Sequence, residues 1–274
     1  MIATSQRWLK VLVPKSAGNE ELIIARLIQW GMLGLQETDT DYEIYFPLNM
    51  KLSLPELIAA ELPQLNITIT EIVDNGWSTR WQEYFKPQTI SPRIAVRPYW
   101  EKPLNDVPVE IVLKPGMAFG TGTHPTTHLA LLMLEKYLTP GDVLLDAGCG
   151  SGILTIAALK LGAAQVSAWD IDSLVIDNFN ENLELNGLSR KVAIQIGDVT
   201  ALPNYNYDLI VSNIERQSNL RLLEALVRQQ NRPLVIFTGL LKEENEIFTN
   251  KVLNYGREIL DQDTEDEWLA LVIK

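Results

Sequence analysis

Residues 146–152 read Asp146-Ala147-Gly148-Cys149-Gly150-Ser151-Gly152, directly after the apolar run Val143-Leu144-Leu145 and before the apolar-periodic segment Ile153 to Leu161. The order is strand, glycine-rich turn, helix. Glycines adopt backbone conformations that other residues reach only with strain, and their missing side chains let a ligand approach a helix N-terminus. The next apolar run, Gln165 to Trp169, ends at Asp170, where a second strand's tip would set a carboxylate against the hydroxyls of a ribose. The segment reads as a nucleoside site on an α/β fold. The plain alternative is a tight strand-to-helix turn with no ligand.

Spacing selects among nucleosides. A dinucleotide fold uses Gly-x-Gly-x-x-Gly, with a pyrophosphate on the helix N-terminus. Here Gly148, Gly150 and Gly152 run Gly-x-Gly-x-Gly and Ile153 occupies the third expected position, which disfavours NAD and FAD. No Lys-Ser or Lys-Thr follows the loop, which removes the Walker reading. A cofactor with a ribose and no phosphate fits best, and S-adenosylmethionine is that cofactor.

Composition sets the limits. The chain has 274 residues, 46% apolar, enough for one large domain or a large and a small one. A formal net charge of −12 argues against direct nucleic-acid binding, which needs clustered Lys and Arg, and favours a basic protein partner. Cys149 is the single cysteine, so no intramolecular disulfide forms and a reducing compartment is allowed. As a nucleophile it would need a lowered pKa, whereas the acids beside it raise one; a small side chain chosen for fit is the preferred reading. The N-terminus lacks a signal-peptide pattern and no segment reaches about 18 uninterrupted apolar residues. A cytoplasmic monomer with no membrane attachment is expected.

Two halves differ in pattern. From Trp8 to about Asp74 the order is strand Leu9–Val13, helix Glu20–Trp30, strands near Leu35–Glu37 and Glu43–Phe46, helix Leu54–Leu62 capped by Ser53, and strand Ile67–Val73. This βαββαβ order predicts a small ferredoxin-like α+β domain over residues 1–75, its last strand half-buried. A connecting stretch, 76–108, carries Trp77, Trp81 and Phe85 at helical spacing, a face more often core than recognition surface. Gly76 and Pro98 to Pro108 are candidate hinges.

Residues 109–274 then alternate strand and helix, predicting a doubly wound, Rossmann-like parallel sheet with ligand sites at strand C-terminal ends. The chain ends in strand Arg257–Asp261, an acidic turn Asp263–Glu267 and strand Trp268–Val272. That hairpin makes the last strand antiparallel.

A second glycine-rich loop, Lys114-Pro115-Gly116-Met117-Ala118-Phe119-Gly120-Thr121-Gly122-Thr123-His124-Pro125-Thr126-Thr127, precedes a helix. It resembles the signature of the ribosomal protein L11 methyltransferases. The resemblance continues through Asp146–Gly152, the helix to Ala164, Asp170-Ile171-Asp172, Asn180-Glu181-Asn182, Asn213-Ile214 and Glu267 to Leu271, roughly two thirds of the chain. It implies a ferredoxin-like substrate domain, a linker and a class I methyltransferase domain that transfers methyl groups from S-adenosylmethionine to amino groups of ribosomal protein L11.

Carried over by position, the resemblance places Thr127 at the cofactor's methionine end, Gly148 and Gly150 beneath the cofactor, Asp170 on the ribose and Asn213 at the methyl-transfer mouth, as both cofactor-binding and catalytic residue. Each has a plainer reading. Thr127 could be an ordinary helix cap, and Asn213 a loop-capping amide. Asp146 either braces the turn, the preferred reading, or meets the cofactor's ammonium. Asp198 either takes the adenine amino group or caps a turn. An accepting lysine, with an unperturbed pKa of about 10.4, must be desolvated to become neutral, so apolar walls are needed; Phe119 and Ile214 are placed to supply them. His124 and His128, the two histidines, lack further ligands for a metal site, and none is expected.

After Asn213-Ile214 the family usually continues Leu-Ala-Gly-Pro, where this chain has Glu215-Arg216-Gln217-Ser218. If Glu215 and Arg216 pair with each other, the mouth keeps its shape; if they point into it, the acceptor differs. The first 75 residues hold five Lys or Arg against ten Asp or Glu, either an acidic docking face for a basic protein or a solvated one. Two other functions stay open: methylation of a different protein or small molecule, and cofactor binding without catalysis.

Overall fold

The computed structural model describes residues 7–15, 20–63, 65, 67–73, 82, 85–104, 106–116, 118–229 and 231–274. The chain divides into two compact units, Met1–Tyr84 and Phe85–Lys274. Gly76 and most of the tryptophan-bearing segment 77–85 lie outside the described residues.

The first unit contains β1 (Arg7–Pro14), α1 (Glu20–Gln29), β2 (Gly34–Glu37), β3 (Asp41–Pro47), α2 (Ser53–Glu61) and β4 (Thr68–Val73). Its four strands pair antiparallel in the order β2-β3-β1-β4. Strand alternation places Leu9, Val11 and Val13 of β1 and Tyr42, Ile44 and Phe46 of β3 on one face, where Ile23, Leu27, Leu54 and Ile58 from the helices cover them. The expected half-burial of the last strand is only partly met. β4 is an edge strand with no fully buried residue, Val73 is exposed, and Ile67 and Ile69 pack partly on the core. Ser53 is not a cap: it is the first residue of α2, its hydroxyl turned back to the Met50 carbonyl at 3.5 Å, and no side chain caps that helix.

The second unit opens with β5 (Gln88–Thr89), β6 (Ile94–Pro98) and β7 (Val109–Leu113), which form a separate three-stranded sheet rather than joining the main one. Pro98 to Pro108, read as a hinge, connects β6 to β7 across a partly buried ion pair in which Arg97 Nε meets Glu110 Oε1 at 2.8 Å. Then follow α3 (Pro125–Tyr137), β8 (Val143–Ala147), α4 (Ile153–Leu161), β9 (Gln165–Asp170), α5 (Ile176–Leu185), β10 (Ile194–Ile196) and β11 (Leu209–Asn213). The chain closes with α6 (Arg216–Val227), β12 (Leu234–Leu241), α7 (Asn245–Asn254), β13 (Ile259–Glu265) and β14 (Trp268–Ile273).

The main sheet runs β10-β9-β8-β11-β12-β14-β13. β8 through β12 are mutually parallel and β14 is antiparallel to both neighbours, as the terminal hairpin required. The hairpin turns later than expected. Asp263 to Glu265 belong to β13, and the reversal falls at Asp266, whose φ of 49° is the left-handed geometry of a tight turn. Helices cover both faces: α3, α4 and α5 on a core that includes Leu131, Ile156 and Phe179, and α6 and α7 on one with Leu223, Phe237 and Phe248. The strand order reverses between β8, whose next strand lies on one side, and β11 on the other. Such a reversal opens a crevice at the strand C-terminal ends, where Ala147, Asp170 and Asn213 all lie.

Candidate active site

The crevice is a cleft of about 760 Å³. Its floor is the glycine turn. Gly148 (φ +81°), Gly150 (φ +49°) and Gly152 (φ +84°) all take left-handed backbone, and no side chain could be added: a Cβ on Gly148 would lie 2.2 Å from Ile214 Cγ2, and one on Gly150 2.6 Å from the Phe119 carbonyl oxygen. The backbone amide of Gly150 donates to Asp170 Oδ2 at 2.8 Å, and the Asp172 amide donates to Asp170 Oδ1 at 3.0 Å. Asp170 thus braces the turn while also lining the cleft with Gly148 and Gly150.

The loop at 114–127 is stitched to this turn. The Ser151 amide donates to the Phe119 carbonyl at 2.9 Å and its hydroxyl to the Gly120 carbonyl at 2.6 Å. Fully buried Asn182 joins the same two segments, donating to the Ser151 carbonyl at 2.8 Å and accepting from the Lys114 amide at 2.7 Å. His128 holds the loop from the other side: its ring nitrogens contact Glu265 Oε1 at 2.9 Å and both Gln88 Oε1 (2.8 Å) and the Gly122 carbonyl (2.9 Å).

Asn213 ends β11 at the cleft. It is buried, its amide nitrogen lies 3.5 Å from Thr127 Oγ1, and its carboxamide oxygen has no partner among the described residues. Thr127 is fully buried behind Asn213; the cleft wall is formed by its neighbour Thr126. Nor is Thr127 the helix cap. His124 is, its Nδ1 accepting from the Thr126 amide at 3.2 Å with Pro125 opening the helix.

Asp146 accepts from the Thr155 hydroxyl at 2.6 Å, the bracing role, and its second carboxylate oxygen has no partner among the described residues. Burial, with a lesser contribution from the Asp170 charge, pushes its carboxyl up to about 7. The Cys149 thiol is pushed far up by burial and by Asp146 and Asp170, the opposite of what a nucleophile needs. Asp198 caps the turn at 199–201 through Thr200 and still faces the cleft. Hydrogen bonds from Thr200 hold its carboxyl low.

Phe119 and Ile214 line the cleft as expected. Phe119 meets His124 edge-to-face at 5.3 Å between centroids, and His124 meets Trp268 at 4.9 Å, making one aromatic wall. Glu215 and Arg216 both line the cleft and do not pair with each other: Arg216 Nε lies 3.2 Å from Glu244 Oε1, and Glu215 Oε1 accepts from the Ser218 hydroxyl at 3.1 Å.

A family model described as ribosomal protein L11 methyltransferase matches residues 40–274, the stretch that carries this cleft. The chain belongs to the ribosomal protein L11 methyltransferase family. A ribosomal protein L11 methyltransferase of an Exiguobacterium species is 39% identical over 212 residues, covering 76% of this chain and 68% of its own. One from Oceanobacillus iheyensis is 35% identical over 217 residues, covering 78% and 69%. A crystal structure of a ribosomal protein L11 methylase from Lactobacillus delbrueckii subsp. bulgaricus superposes with a TM-score of 0.64 at 33% identity, covering 69% of this chain and 98% of that one.

As an L11 methyltransferase family member, the chain carries two site features that sequence reading missed. Gly239 lines the cleft in left-handed geometry, where a Cβ would lie 2.2 Å from the Ile214 carbonyl oxygen. It falls in a register break of β12, and a glycine inside a strand pattern is the available signal for such a close approach. Asn219, fully buried, donates to the Ile214 and Thr238 carbonyls and accepts from Ser212, fixing the segment beyond Asn213. Only its place four residues after Glu215 hinted at that.

Proposed function

We propose that this protein transfers methyl groups from S-adenosylmethionine to amino groups of ribosomal protein L11. The observation that carries the reading is the carboxamide oxygen of buried Asn213 at the cleft wall, unpartnered among the described residues, beside a floor that admits no side chains. A buried acceptor without a donor is costly, and an amine supplies the missing donor. The residues fit the cofactor: Asp170 for the ribose, Gly148 and Gly150 for close approach, and the first turn of α3 for the methionine end, with Thr126 at the wall and Thr127 acting from behind Asn213. When bound, S-adenosylmethionine supplies an electrophilic methyl group. Asn213 accepts from the incoming amine and aims its lone pair, an orientation effect. Phe119, Ile214 and Trp268 exclude water and favour the neutral amine.

Family membership supports ribosomal protein L11 as acceptor, and we further infer that residues 1–75 form a ferredoxin-like substrate domain; their βαββαβ order and β2-β3-β1-β4 sheet support this. We place the enzyme in the cytoplasm as a monomer, and without direct nucleic-acid contact, the last of which its acidic composition supports. Incubation with labelled S-adenosylmethionine and unmethylated ribosomal protein L11 tests the function. Label on that protein is expected, and none above background removes the reading. A second reading, a different acceptor, is favoured by Glu215 and Arg216 at the cleft; label in a cell extract but not on ribosomal protein L11 selects it.

A further inference from the structure

We propose that Glu215 selects the acceptor by pairing with a cationic residue that flanks the target amine, an assignment that rests on the function proposed above. Glu215 lies at the lip of the cleft, two residues beyond Asn213 and immediately before α6. Its carboxylate is exposed, and among the described residues its partner is the Ser218 hydroxyl, a neutral group. It stands at the N-cap position of α6, but its carboxylate makes no capping bond to a backbone amide there.

The nearby cations are engaged elsewhere. Arg216 is paired with Glu244 at 3.2 Å, and Arg221 donates at 2.8 Å to the Ser218 hydroxyl, reaching Glu215 only through that neutral group, while its charge acts on Asp198. Glu215 therefore presents a negative charge at the entrance that forms no direct ion pair among the described residues. A carboxylate beside the reacting nitrogen would hold it protonated and unreactive, so the charge serves a neighbour of that amine. Two residues of extended chain separate Glu215 from Asn213, at most about 7 Å, which is the reach between a target side chain and the next one along an acceptor segment. An opposite charge at this rim raises affinity and encounter rate more than chemistry.

The test measures kcat and KM for ribosomal protein L11, at low and high salt, in the unsubstituted protein, in Glu215→Gln and in Glu215→Ser, serine being a preferred residue at a helix start. Both variants are expected to raise KM about fivefold at low salt, to flatten the salt dependence and to change kcat less than about twofold. Unchanged KM and salt dependence overturn the assignment, as does a loss confined to kcat. No labelling of ribosomal protein L11 by the unsubstituted protein removes the proposed function and this assignment together; labelling with unchanged KM in both variants removes the assignment alone.

Discussion

The hydroxyl of Ser151 donates to the carbonyl of Gly120 across 31 residues at 2.6 Å, in a buried position. Two glycine-rich segments that are separate in sequence are thereby one piece of structure, and the first can only be shaped as well as the second holds it.

Removing that bond should therefore be felt at both. In Ser151→Ala the Gly120 carbonyl loses its side-chain partner in a buried setting, a cost of about 1–3 kcal/mol. Weaker cofactor binding by calorimetry is expected together with a lower melting temperature. A variant with full cofactor affinity would show that the loop keeps its shape without Ser151.

Gly148→Ala places a Cβ 2.2 Å from Ile214 Cγ2 and forces a residue with a side chain into φ +81°. Loss of cofactor affinity by more than about tenfold is expected from strain and overpacking together. Gly148→Ala combined with Ile214→Ala should recover part of it, since the clash is relieved but the backbone strain is not. Equal affinities for the single and double variants would assign the whole effect to φ.

Asp170→Ala removes the acceptor of the Gly150 and Asp172 amides and the carboxylate assigned to the ribose. Cofactor binding should fall at least about tenfold, the loss of a charge-assisted hydrogen bond. Unchanged binding would contradict the ribose assignment.

Asn213→Ala should separate binding from chemistry. With its oxygen unpartnered at the cleft wall, the amide serves the accepting amine, so kcat should drop about a hundredfold or more while cofactor affinity changes far less. Rapid-quench measurement of one turnover checks this directly.

Asp146 makes stability depend on pH in an unusual direction. Its carboxyl ionises near 3.8 in the unfolded chain and is pushed up to about 7 in the fold. The folded state holds the proton more tightly, so the contribution is fully present below about pH 4 and is lost as pH rises through about 7; its size is at most about 4 kcal/mol. Carboxylates held low by hydrogen bonds and ion pairs, such as Glu43 and Asp261, slope the other way. The informative quantity is the difference in unfolding free energy between the unsubstituted protein and Asp146→Asn. Across pH 4–7 that difference should move steadily in favour of the variant, and a flat difference would contradict the shift.

Much of this molecule is legible in its sequence. Strand, glycine turn, helix and acid in sequence order located the cleft, because backbone conformation at Gly148, Gly150 and Gly152 is a local property. Alternating apolar residues marked β1 and β3 for the same reason. The Ser53 cap was misplaced because a helix start depends on how the preceding turn at Leu48–Lys51 enters it. β7, expected in the main sheet with the rest of residues 109–274, pairs with β6 instead, because periodicity identifies a strand without naming its partners.

The sequence by itself determined the order of elements, the glycine floor, the acid at the tip of β9 and, through its motifs, the family. Tertiary structure alone decided which distant groups meet: Ser151 with Gly120, Asn182 with both loops, His128 with Glu265 and Gln88. It also decided that Arg216 pairs with Glu244 rather than with its neighbour Glu215. Adjacent residues at a helix start point in different directions, and a charge pairs with whatever the packing of β12 and α6 brings within reach; no local pattern encodes that distance.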